Sequence, residues 1–586
     1  MKKYIFFILA IITILSSCNS NQKPKSYNLV IVETSDVHGA IFDYDFINDR
    51  IMNGSLSRVQ TYMKQLRDTS NVVLLDNGDI LQGQPTVYYY NYEDTESQHV
   101  YSKVMNYMNY DAGSVGNHDI EAGHKVYDKF NNEIDFPWLA ANAVDKETGE
   151  PYFMPYTTIN KGGVKIAILG LITPGIPMWL PEELWEGIEF EDMVLTAKKW
   201  IPIIKKKEKP DLIIGLFHAG FDYTYGNVDY NTPKNENASV IVAEQVPGFD
   251  IILVGHDHHT WNEKITNING DEVVVLGPTS SAREVVTANI KFTLNKNGVY
   301  DKIIIGDVVS MKNYKVDSLF NIEFNKEFNT VKNYVSRKVG EFKTNVYAHE
   351  SIYGPSVFTD LIHIIQLDIS NADISFTAPL TFKSTINEGP VYVRDMFKLY
   401  KFENFLYTIN LTGKEIDSYL EYSFANWFNT MSSDEDHLLQ FKKDSTGELE
   451  FSKRYQSYAL NTNYYNYDAA SGIIYTVDVS KQAGEKVDIK SLTDGRLFSF
   501  DSTYTVAINS YRGNGGGGHL VKGAGIPEDE LTKRRLSSTE KDLRFYMMKW
   551  IEKQGIINPK SKDEWKVIPE DWWIKAKKRD KELLNK

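Results

Sequence analysis

Five short segments of the sequence combine carboxylate, imidazole and amide side chains at spacings that suit a metal centre. They are Asp36-Val37-His38, Gly78-Asp79, Gly116-Asn117-His118-Asp119, His218-Ala219-Gly220 and Gly255-His256-Asp257-His258. Residues two apart in an extended chain point the same way, so both side chains of an Asp-x-His or His-x-His pair can face one site. Oxygen and nitrogen donors without thiolate suit Mn, Zn, Fe or Co. A single pair is better explained by a hydrogen-bonded turn, and only the ordered set indicates a metal site.

The elements predicted around these segments would bring them together. Apolar, β-branched stretches precede four of the five segments and predict strands that are buried on both faces of a parallel sheet. The predicted strands are Leu29–Glu33, Val72–Leu75, Lys165–Leu171, Leu212–Phe217 and Ile251–Val254. Leu56–Arg67 and Met193–Lys207 predict helices between them, which is the α/β alternation. Because residues at the carboxyl ends of parallel strands meet at one edge of a sheet, the segments are expected to form one site.

Together these motifs resemble the calcineurin-like metallophosphoesterases. Three further stretches resemble the branch of that family that contains the 5'-nucleotidases and the 2',3'-cyclic-nucleotide phosphodiesterases. They are Ile80-Leu81-Gln82-Gly83, Phe136-Pro137-Trp138-Leu139-Ala140-Ala141-Asn142 and Gly170-Leu171-Ile172-Thr173-Pro174. The resemblance covers about residues 27–570. It implies an α/β fold in which an N-terminal four-layer α/β/β/α metallophosphoesterase sandwich is joined to a C-terminal α+β substrate domain of the 5'-nucleotidase type.

The resemblance also implies two divalent metal ions, drawn from Mn, Zn, Co and Fe, and it assigns their ligands. The first ion would be held by Asp36, His38, Asp79 and His258, and the second by Asp79, Asn117, His218 and His256. Asp79 would bridge the ions because one carboxylate has two oxygen atoms. Two ions about 3.5–4 Å apart can acidify a water for attack on phosphorus and draw charge from the phosphoryl oxygens.

His118 is the candidate for the residue that helps the leaving alkoxide by supplying a proton. It follows Asn117, which is also a candidate contact to the substrate. In 5'-nucleotidase relatives an acid three residues after the histidine orients it, and that position here is Glu121, one methylene longer than the usual aspartate. Asp119 is the other candidate catalytic acid. The sequence leaves open which of the two pairs with His118.

Two passages of the C-terminal part are candidates for binding the nucleoside. They are Asn466-Tyr467-Asp468 and Asn509-Ser510-Tyr511-Arg512, the second of which is followed by the glycine-rich stretch 513–518. In the resembled family an aromatic residue in each passage stacks on the base, and Tyr467 and Tyr511 occupy these positions. With 36 tyrosines in the chain, packing is the alternative for either one. Residues 376–383 lack the arginine of a stretch found in many 5'-nucleotidases, which favours the cyclic phosphodiesterase type.

The pattern changes around Met311–Phe342, and together with the resemblance it predicts a catalytic domain at 27–312, a linker helix at 313–342 and a nucleotide-binding domain at 343–586. The linker is indicated by apolar residues at helical spacing within Asn321–Phe342, and a terminal helix of the first domain is the alternative. In the second domain, Phe405–Leu411 and Tyr504–Asn509 predict strands. Ser537–Gln554 predicts a helix that Gly555 ends.

The first 18 residues carry the pattern of a lipoprotein signal peptide. Lys2 and Lys3 precede the short apolar stretch Tyr4–Leu15, and Leu15-Ser16-Ser17-Cys18 resembles a bacterial lipobox. Cys18 is the single cysteine, so the chain can form no internal disulfide. We expect a lipid anchor on Cys18 and a location in the cell envelope, on the periplasmic or outer-membrane face. A plain secretory signal is the alternative.

Composition limits the classes of partner. A chain of 586 residues with 42% hydrophobic and 24% charged residues is neither disordered nor a coiled coil. Its net charge of -14 argues against a nucleic-acid duplex as partner, and we expect a monomer that acts on small nucleotides. The expected function is 2',3'-cyclic-nucleotide 2'-phosphodiesterase/3'-nucleotidase, with 5'-nucleotidase/UDP-sugar hydrolase as the alternative. The alternative outside enzymes is a nucleotide-binding lipoprotein.

Overall fold

The structure is a computed structural model that describes residues 23–225, 228–452 and 457–585. The predicted signal peptide and lipobox, including Cys18, lie outside the described residues. Among the helices of the described part, none has both the length and the apolar character needed to cross a bilayer.

Two six-stranded sheets form the centre of the N-terminal part. In spatial order the first sheet contains Tyr300–Ser310, Glu284–Leu294, Ser26–Thr34, Val72–Asp76, Ala112–Ser114 and Trp138–Leu139. The second contains Trp261–Thr266, Glu272–Gly277, Ile251–Val254, Leu212–His218, Val164–Ile172 and Tyr156–Lys161. Four neighbouring strands of each sheet run parallel. Antiparallel pairings add two strands on one side of them in the first sheet and one strand on each side in the second. Each of the five predicted strands lies within one of these strands.

Alternating side chains of these strands build the layers of the sandwich. Leu29 and Ile31 of the first sheet pack against residues such as Ile214 of the second sheet. Val30 and Val32 face the other way, toward the helices that cover the first sheet. The helices of the N-terminal part are Leu56–Arg67, Pro85–Tyr88, Val100–Met108, Asn117–Glu121, His124–Glu133, Ile176–Trp179, Met193–Glu208 and Ser239–Gln245. The α/β/β/α order confirms the predicted four-layer architecture.

The two helices predicted in this part are present because their sequences supply the caps. The helix Leu56–Arg67 has the predicted bounds, and it begins where the Ser55 side chain accepts the backbone N–H of Arg58. The helix Met193–Glu208 extends one residue beyond the prediction. It begins where the Asp192 side chain accepts the N–H groups of Val194 and Leu195.

The predicted linker helix is wrong as one continuous element. The segment contains the helices Ser318–Glu323 and Asn325–Val335, followed by the strand Lys338–Phe342. Phe320, Phe324, Val331 and Val335 are buried in the same apolar cluster as the helices of the first sheet. The two helices therefore pack as terminal helices of the first domain, which was the alternative. The strand instead pairs with Gly389–Tyr392 and Ile556–Ile557 of the C-terminal part, and these long-range pairings override the helical spacing.

The C-terminal part is built on smaller sheets. A five-stranded sheet has the order Ala469–Ser471, Ile374–Thr377, Thr503–Asn509, Leu406–Thr412 and Arg535–Ser538. Two three-stranded sheets contain Gly389–Tyr392, Lys338–Phe342 and Ile556–Ile557, and Val487–Leu492, Ile473–Asp478 and Trp565–Ile568. The longer helices are Val357–Ser370, Val393–Leu399, Gly413–Ala425, Glu528–Arg534, Leu543–Gln554 and Glu570–Leu584. This mixture is the expected α+β domain.

The two strand predictions of the C-terminal part hold to within one residue, and the helix prediction fails at its start. The helix begins at Leu543 rather than at Ser537, because the side chain of Asp542 caps it. Ser537 and Ser538 belong to the edge strand Arg535–Ser538, which pairs with Leu406–Thr412. The predicted end at Gly555 is confirmed.

Candidate metal centre and its surroundings

The predicted ligands lie on turns at the carboxyl ends of the central strands of both sheets. We call residues 35–38, 77–79, 116–118, 218–220 and 255–258 the ligand turns. Neighbouring turns are hydrogen-bonded to each other: the N–H groups of Asp36 and His38 donate to the carbonyls of Gly78 and Asp79, at 3.0 Å each. The N–H of His256 donates to the carboxylate of Asp36 at 3.1 Å. These bonds hold three turns from both sheets in one arrangement.

Most of the ligand residues have backbone conformations that a side chain disfavours. The φ angles of Asp36, His38, Asp79, His256 and His258 lie between 49° and 74°, in the left-handed region. Each such residue costs about 1–3 kcal/mol, and such conformations cluster at functional sites. Gly116 lies too close to Asp79 for any side chain, since a Cβ atom there would lie 2.3 Å from Oδ1 of Asp79. The fold thus accepts backbone strain and close approach to bring these ligands together.

One group of four side chains lies around the first predicted metal position. The donor atoms of Asp36, His38, Asp79 and His258 all lie within 4.8 Å of one another. The Nε2 atoms of His38 and His258 are 3.0 Å apart, and the second of them is 3.3 Å from Oδ1 of Asp36. Burial, with the nearby His258, lowers the pKa of His38 to about 3, so this imidazole is neutral as a metal ligand must be.

A second group shares Asp79 with the first. Asp79, His218 and His256 also offer donor atoms within 4.8 Å of one another. Oδ1 of Asn117 joins them, at 2.8 Å from Nδ1 of His256 and 3.2 Å from Nε2 of His218. The structure therefore brings all seven predicted metal ligands into two adjoining groups with Asp79 in common.

The donor set fits two divalent ions. Oδ2 of Asp79 is buried and makes no hydrogen bond, although Nε2 of His218 lies 3.2 Å away and Nε2 of His38 lies 3.9 Å away. A buried carboxylate that faces imidazole nitrogens from both groups could help to hold both ions. Burial opposes ionisation of Asp79, but His218 and His118 outweigh it and hold the pKa of Asp79 well below its usual range.

Hydrogen bonds on the far side of the rings orient the imidazoles. Nδ1 of His38 donates to the carbonyl of Gln82 at 3.2 Å, and Nδ1 of His218 donates to the carbonyl of Asn77 at 2.5 Å. Each of these bonds leaves Nε2 as the nitrogen that faces the group. Such partners fix the tautomer and the orientation of a metal-binding histidine.

The structure answers the question of which acid contacts His118. Nδ1 of His118 donates to the carboxylate of Glu121, and its backbone N–H donates to Oδ1 of Asp79 at 2.9 Å. Burial by itself would lower the pKa of His118, but Asp79 and Glu121 raise it to about 9. The imidazole is about 29% exposed, so a substrate can reach it.

Asp119 does not contact His118 and has a structural position instead. It is fully buried, and its carboxylate accepts the N–H groups of Asp79, Ile80, Leu81 and Gly116 at 2.7–3.0 Å. The carboxylate therefore fastens two ligand turns together, and the prediction that Asp119 is a catalytic acid is not supported by its position.

Tyr467 and Tyr511 have very different surroundings. We call residues 464–468 and 509–518 the aromatic passages. Tyr467 is 1% exposed and stacks on Trp427, with ring centroids 4.9 Å apart and planes at 8°. Its prediction as a base-stacking residue is wrong in this structure, because both ring faces lie in the core; the packing alternative holds. Tyr511 is partly exposed, as are Tyr464 and Tyr465 of the other passage.

A buried ion pair joins the two aromatic passages. Arg512, 1% exposed, binds the carboxylate of Asp468 through two nitrogens at 3.0 and 3.1 Å. The same guanidinium donates to the carbonyls of Tyr465 at 2.7 Å and Gly516 at 3.0 Å. These bonds set the spacing between Tyr465 and Tyr511 and fold the glycine-rich stretch around the arginine.

One of the aromatic passages contacts a short helix that reaches the metal centre. The turn Ser510–Gly513, which carries Tyr511, contacts the helix Ile176–Trp179 of the first domain. The ring of Trp179 stacks on His256, with centroids 5.6 Å apart and planes at 22°. The sequence did not indicate a place for Trp179 in the site, because a tryptophan at the end of a short helix has no motif of its own. The signal that could have found it is its place in the stretch directly after the buried strand Val164–Ile172.

A cage of oxygen and nitrogen donors between two sheets of an α/β/β/α sandwich defines a metallophosphoesterase. Residues 29–260 match the calcineurin-like phosphoesterase family, and residues 338–522 match the 5'-nucleotidase C-terminal domain. The chain therefore combines a calcineurin-like phosphoesterase domain with a 5'-nucleotidase C-terminal domain, and it is a hydrolase.

Three known proteins illustrate the similarity. The trifunctional nucleotide phosphoesterase protein YfkN of Bacillus subtilis is 27% identical over 92% of this chain and 39% of that protein. The 2',3'-cyclic-nucleotide 2'-phosphodiesterase/3'-nucleotidase of Yersinia enterocolitica is 24% identical over 95% of this chain and 90% of that protein. A putative 5'-nucleotidase from Staphylococcus aureus has a similar fold, with a TM-score of 0.74 at 19% identity over 92% of this chain and 99% of that chain. The chain thus spans about two fifths of the first protein and most of the other two.

Proposed function

We propose that the protein hydrolyses nucleotides, with 2',3'-cyclic-nucleotide 2'-phosphodiesterase/3'-nucleotidase activity first and 5'-nucleotidase/UDP-sugar hydrolase activity second. The observation that carries the proposal is the buried Oδ2 atom of Asp79, which faces both ligand groups without a hydrogen bond. The Yersinia relative supports the first activity, because the chain covers 90% of its length. The match of residues 338–522 to the 5'-nucleotidase C-terminal domain supports the second.

The residues around the metal centre have separate roles in this reaction. When bound, two divalent ions would lower the pKa of a water and draw charge from the phosphoryl oxygens. Asn117 presents its amide oxygen to His218 and His256, and it is the first residue of the helix Asn117–Glu121. His118 is oriented by Glu121 through Nδ1, which leaves Nε2 to donate a proton to the leaving oxygen of the ester.

The nucleoside end of the substrate is assigned to the aromatic passages. Tyr511 keeps the role predicted for it, because its ring is partly exposed and its helix contacts Ile176–Trp179 beside the metal centre. Tyr465 takes the role predicted for Tyr467, since Arg512 bonds its carbonyl and so ties it to the passage that carries Tyr511. Stacking on an aromatic ring is worth about 1–3 kcal/mol per base and tolerates different bases.

The location of the protein is proposed from the sequence. A lipid on Cys18 would anchor the chain to the cell envelope, with 19–26 as a polar tether between the membrane and the first strand. Mass spectrometry of the N-terminal peptide from membrane fractions tests this proposal. A Cys18→Ala variant that stays in the membrane fraction would contradict it.

A comparison of four substrates tests the proposed activity. The Mn-loaded protein is assayed on 2',3'-cyclic AMP, 3'-AMP, 5'-AMP and bis(p-nitrophenyl) phosphate. Faster turnover of the first two than of 5'-AMP supports the leading activity, and the reverse order supports 5'-nucleotidase. If no substrate shows metal-dependent turnover, the proposed enzymatic activity is refuted and a nucleotide-binding protein is favoured. Metal analysis of the protein as purified from its native source identifies which of Mn, Zn, Co and Fe it carries.

A further inference from the structure

One imidazole of the metal centre has a partner that none of the ligand motifs supplies. Nδ1 of His256 faces the second group, 2.8 Å from Oδ1 of Asn117. On the other side of the ring, Nε2 donates to Oε1 of Glu236 at 2.9 Å. His38 and His218 instead donate to backbone carbonyls on their far sides. His256 is thus tied to a carboxylate that comes from a different loop.

The loop that carries Glu236 is fastened on both sides of that residue. The side chain of Asn235 donates to the carbonyl of Tyr223 at 2.9 Å, and Asn237 donates to the carbonyl of Asp222 at 3.1 Å. Both asparagines are nearly fully buried. These bonds fix the backbone of Glu236 against residues that follow the ligand turn of His218.

Gly220 allows this close approach. Its N–H donates to Oδ1 of Asn237 at 3.1 Å, and a Cβ atom at Gly220 would lie 2.6 Å from that oxygen. The turn that supplies His218 therefore also braces the loop that supplies Glu236. Two predicted ligands of the second ion, His218 and His256, are coupled through this loop.

We propose that Glu236 is a positioning residue that holds His256 in the tautomer and orientation needed to bind the second metal ion. A carboxylate that accepts the Nε2 proton leaves the lone pair of Nδ1 directed at the metal and makes the imidazole a stronger ligand. The ring of Trp179, stacked on His256, also limits rotation of the His256 imidazole. The inference rests on the dimetal site of the proposed function.

An ordinary surface ion pair is the competing explanation. The Glu236 side chain is 22% exposed, and pairs at exposed positions contribute little. That explanation predicts a small change in stability when Glu236 is replaced and no change in metal affinity. The positioning role predicts a loss of affinity confined to one of the two ions. Partners of this kind are worth roughly 10–100-fold in metal affinity.

The experiment is a calorimetric titration of the metal-free full-length protein with Mn²⁺. The variants are Glu236→Ala, which removes the acceptor, and Glu236→Gln, which keeps a neutral acceptor. Glu263→Ala is the control, because Glu263 is an exposed glutamate on the strand Trp261–Thr266 that follows the same ligand turn. We expect Glu236→Ala to bind one of the two ions about 10–100-fold more weakly and Glu236→Gln to lose less. The control should match the wild type.

The outcomes separate this inference from the proposed function. Two ions bound to Glu236→Ala with wild-type affinities would overturn the positioning role and leave the enzyme intact. An equal loss for both ions in both Glu236 variants would also overturn it, because that pattern indicates damage to the whole site. A wild type that binds two ions but hydrolyses none of the four substrates would refute the proposed function and leave the role of Glu236 standing.

Discussion

The ligand turns of the first domain hold their side chains through backbone geometry, whereas the aromatic passages of the second domain hold theirs through packing. Five ligand residues have φ angles in the left-handed region, and hydrogen bonds between the turns fix these angles. In the aromatic passages, the position of each ring depends on which neighbours cover it. Tyr467 stacks on Trp427 and is buried, whereas Tyr511 is partly exposed. The metal centre therefore tolerates little change in backbone conformation. In the aromatic passages, differences in burial decide which rings a ligand could contact.

The replacement Asp79→Ala has the largest expected effect on this comparison. It removes the one carboxylate that both ligand groups share, so we expect both ions to be lost and turnover to fall by at least ~10³-fold, since even a single oxyanion donor is worth 10²–10³. Metal content and hydrolysis of bis(p-nitrophenyl) phosphate are the measurements. Asp128→Ala, at an exposed carboxylate of the same domain, is the control. Retained turnover would remove Asp79 from the shared position.

The replacement His118→Ala is expected to separate catalysis from metal binding. The ions should remain, because the imidazole of His118 is not a ligand, while kcat for a nucleotide with a poor leaving group falls about 10²–10⁴-fold. Turnover of a p-nitrophenyl ester, whose leaving group needs no proton, should change far less. His124→Ala provides the control, since that imidazole binds Asp128 and a backbone carbonyl away from the metal centre. Equal losses on both substrates would argue against a proton-donating role.

The replacement Tyr467→Ala tests whether the buried Tyr467 ring serves packing rather than substrate binding. We expect it to lower the free energy of unfolding by about 3–5 kcal/mol, as for other large aromatic side chains removed from a core. Tyr467→Phe should be close to neutral, because the buried hydroxyl makes no hydrogen bond. Urea unfolding measures both. A stable Tyr467→Ala variant with a raised KM for nucleotides would restore the stacking role.

The replacement Tyr511→Ala tests the exposed side and has the smallest expected effect. Loss of one stacking face worth about 1–3 kcal/mol raises KM for nucleotides roughly 5–150-fold. KM for p-nitrophenyl esters and the urea midpoint should stay near the wild-type values, and Tyr511→Phe should retain nucleotide affinity. An equal rise in KM for both kinds of substrate would indicate that Tyr511 supports the site structurally.

Interactions between distant residues decided most of what the sequence left open. Glu121 and Asp119 are two residues apart, and only the folded turn shows that Glu121 contacts His118 while Asp119 accepts four backbone N–H groups. Glu236 has no motif, and it meets His256 because buried asparagines fasten its loop. The strand Lys338–Phe342 was predicted as helix, because its pairing partners lie far along the chain.

The sequence by itself indicated the candidate ligands and the strands that carry most of them. Metal coordination accepts few residue types, and buried parallel strands require continuous apolar stretches. Both therefore produce local patterns that can be recognised from the sequence alone. The tertiary structure alone decided which face of each tyrosine is covered and which carboxylate meets each imidazole. Tyrosine is equally suited to a core and to a binding surface, and a carboxylate finds its partner only after the chain has folded.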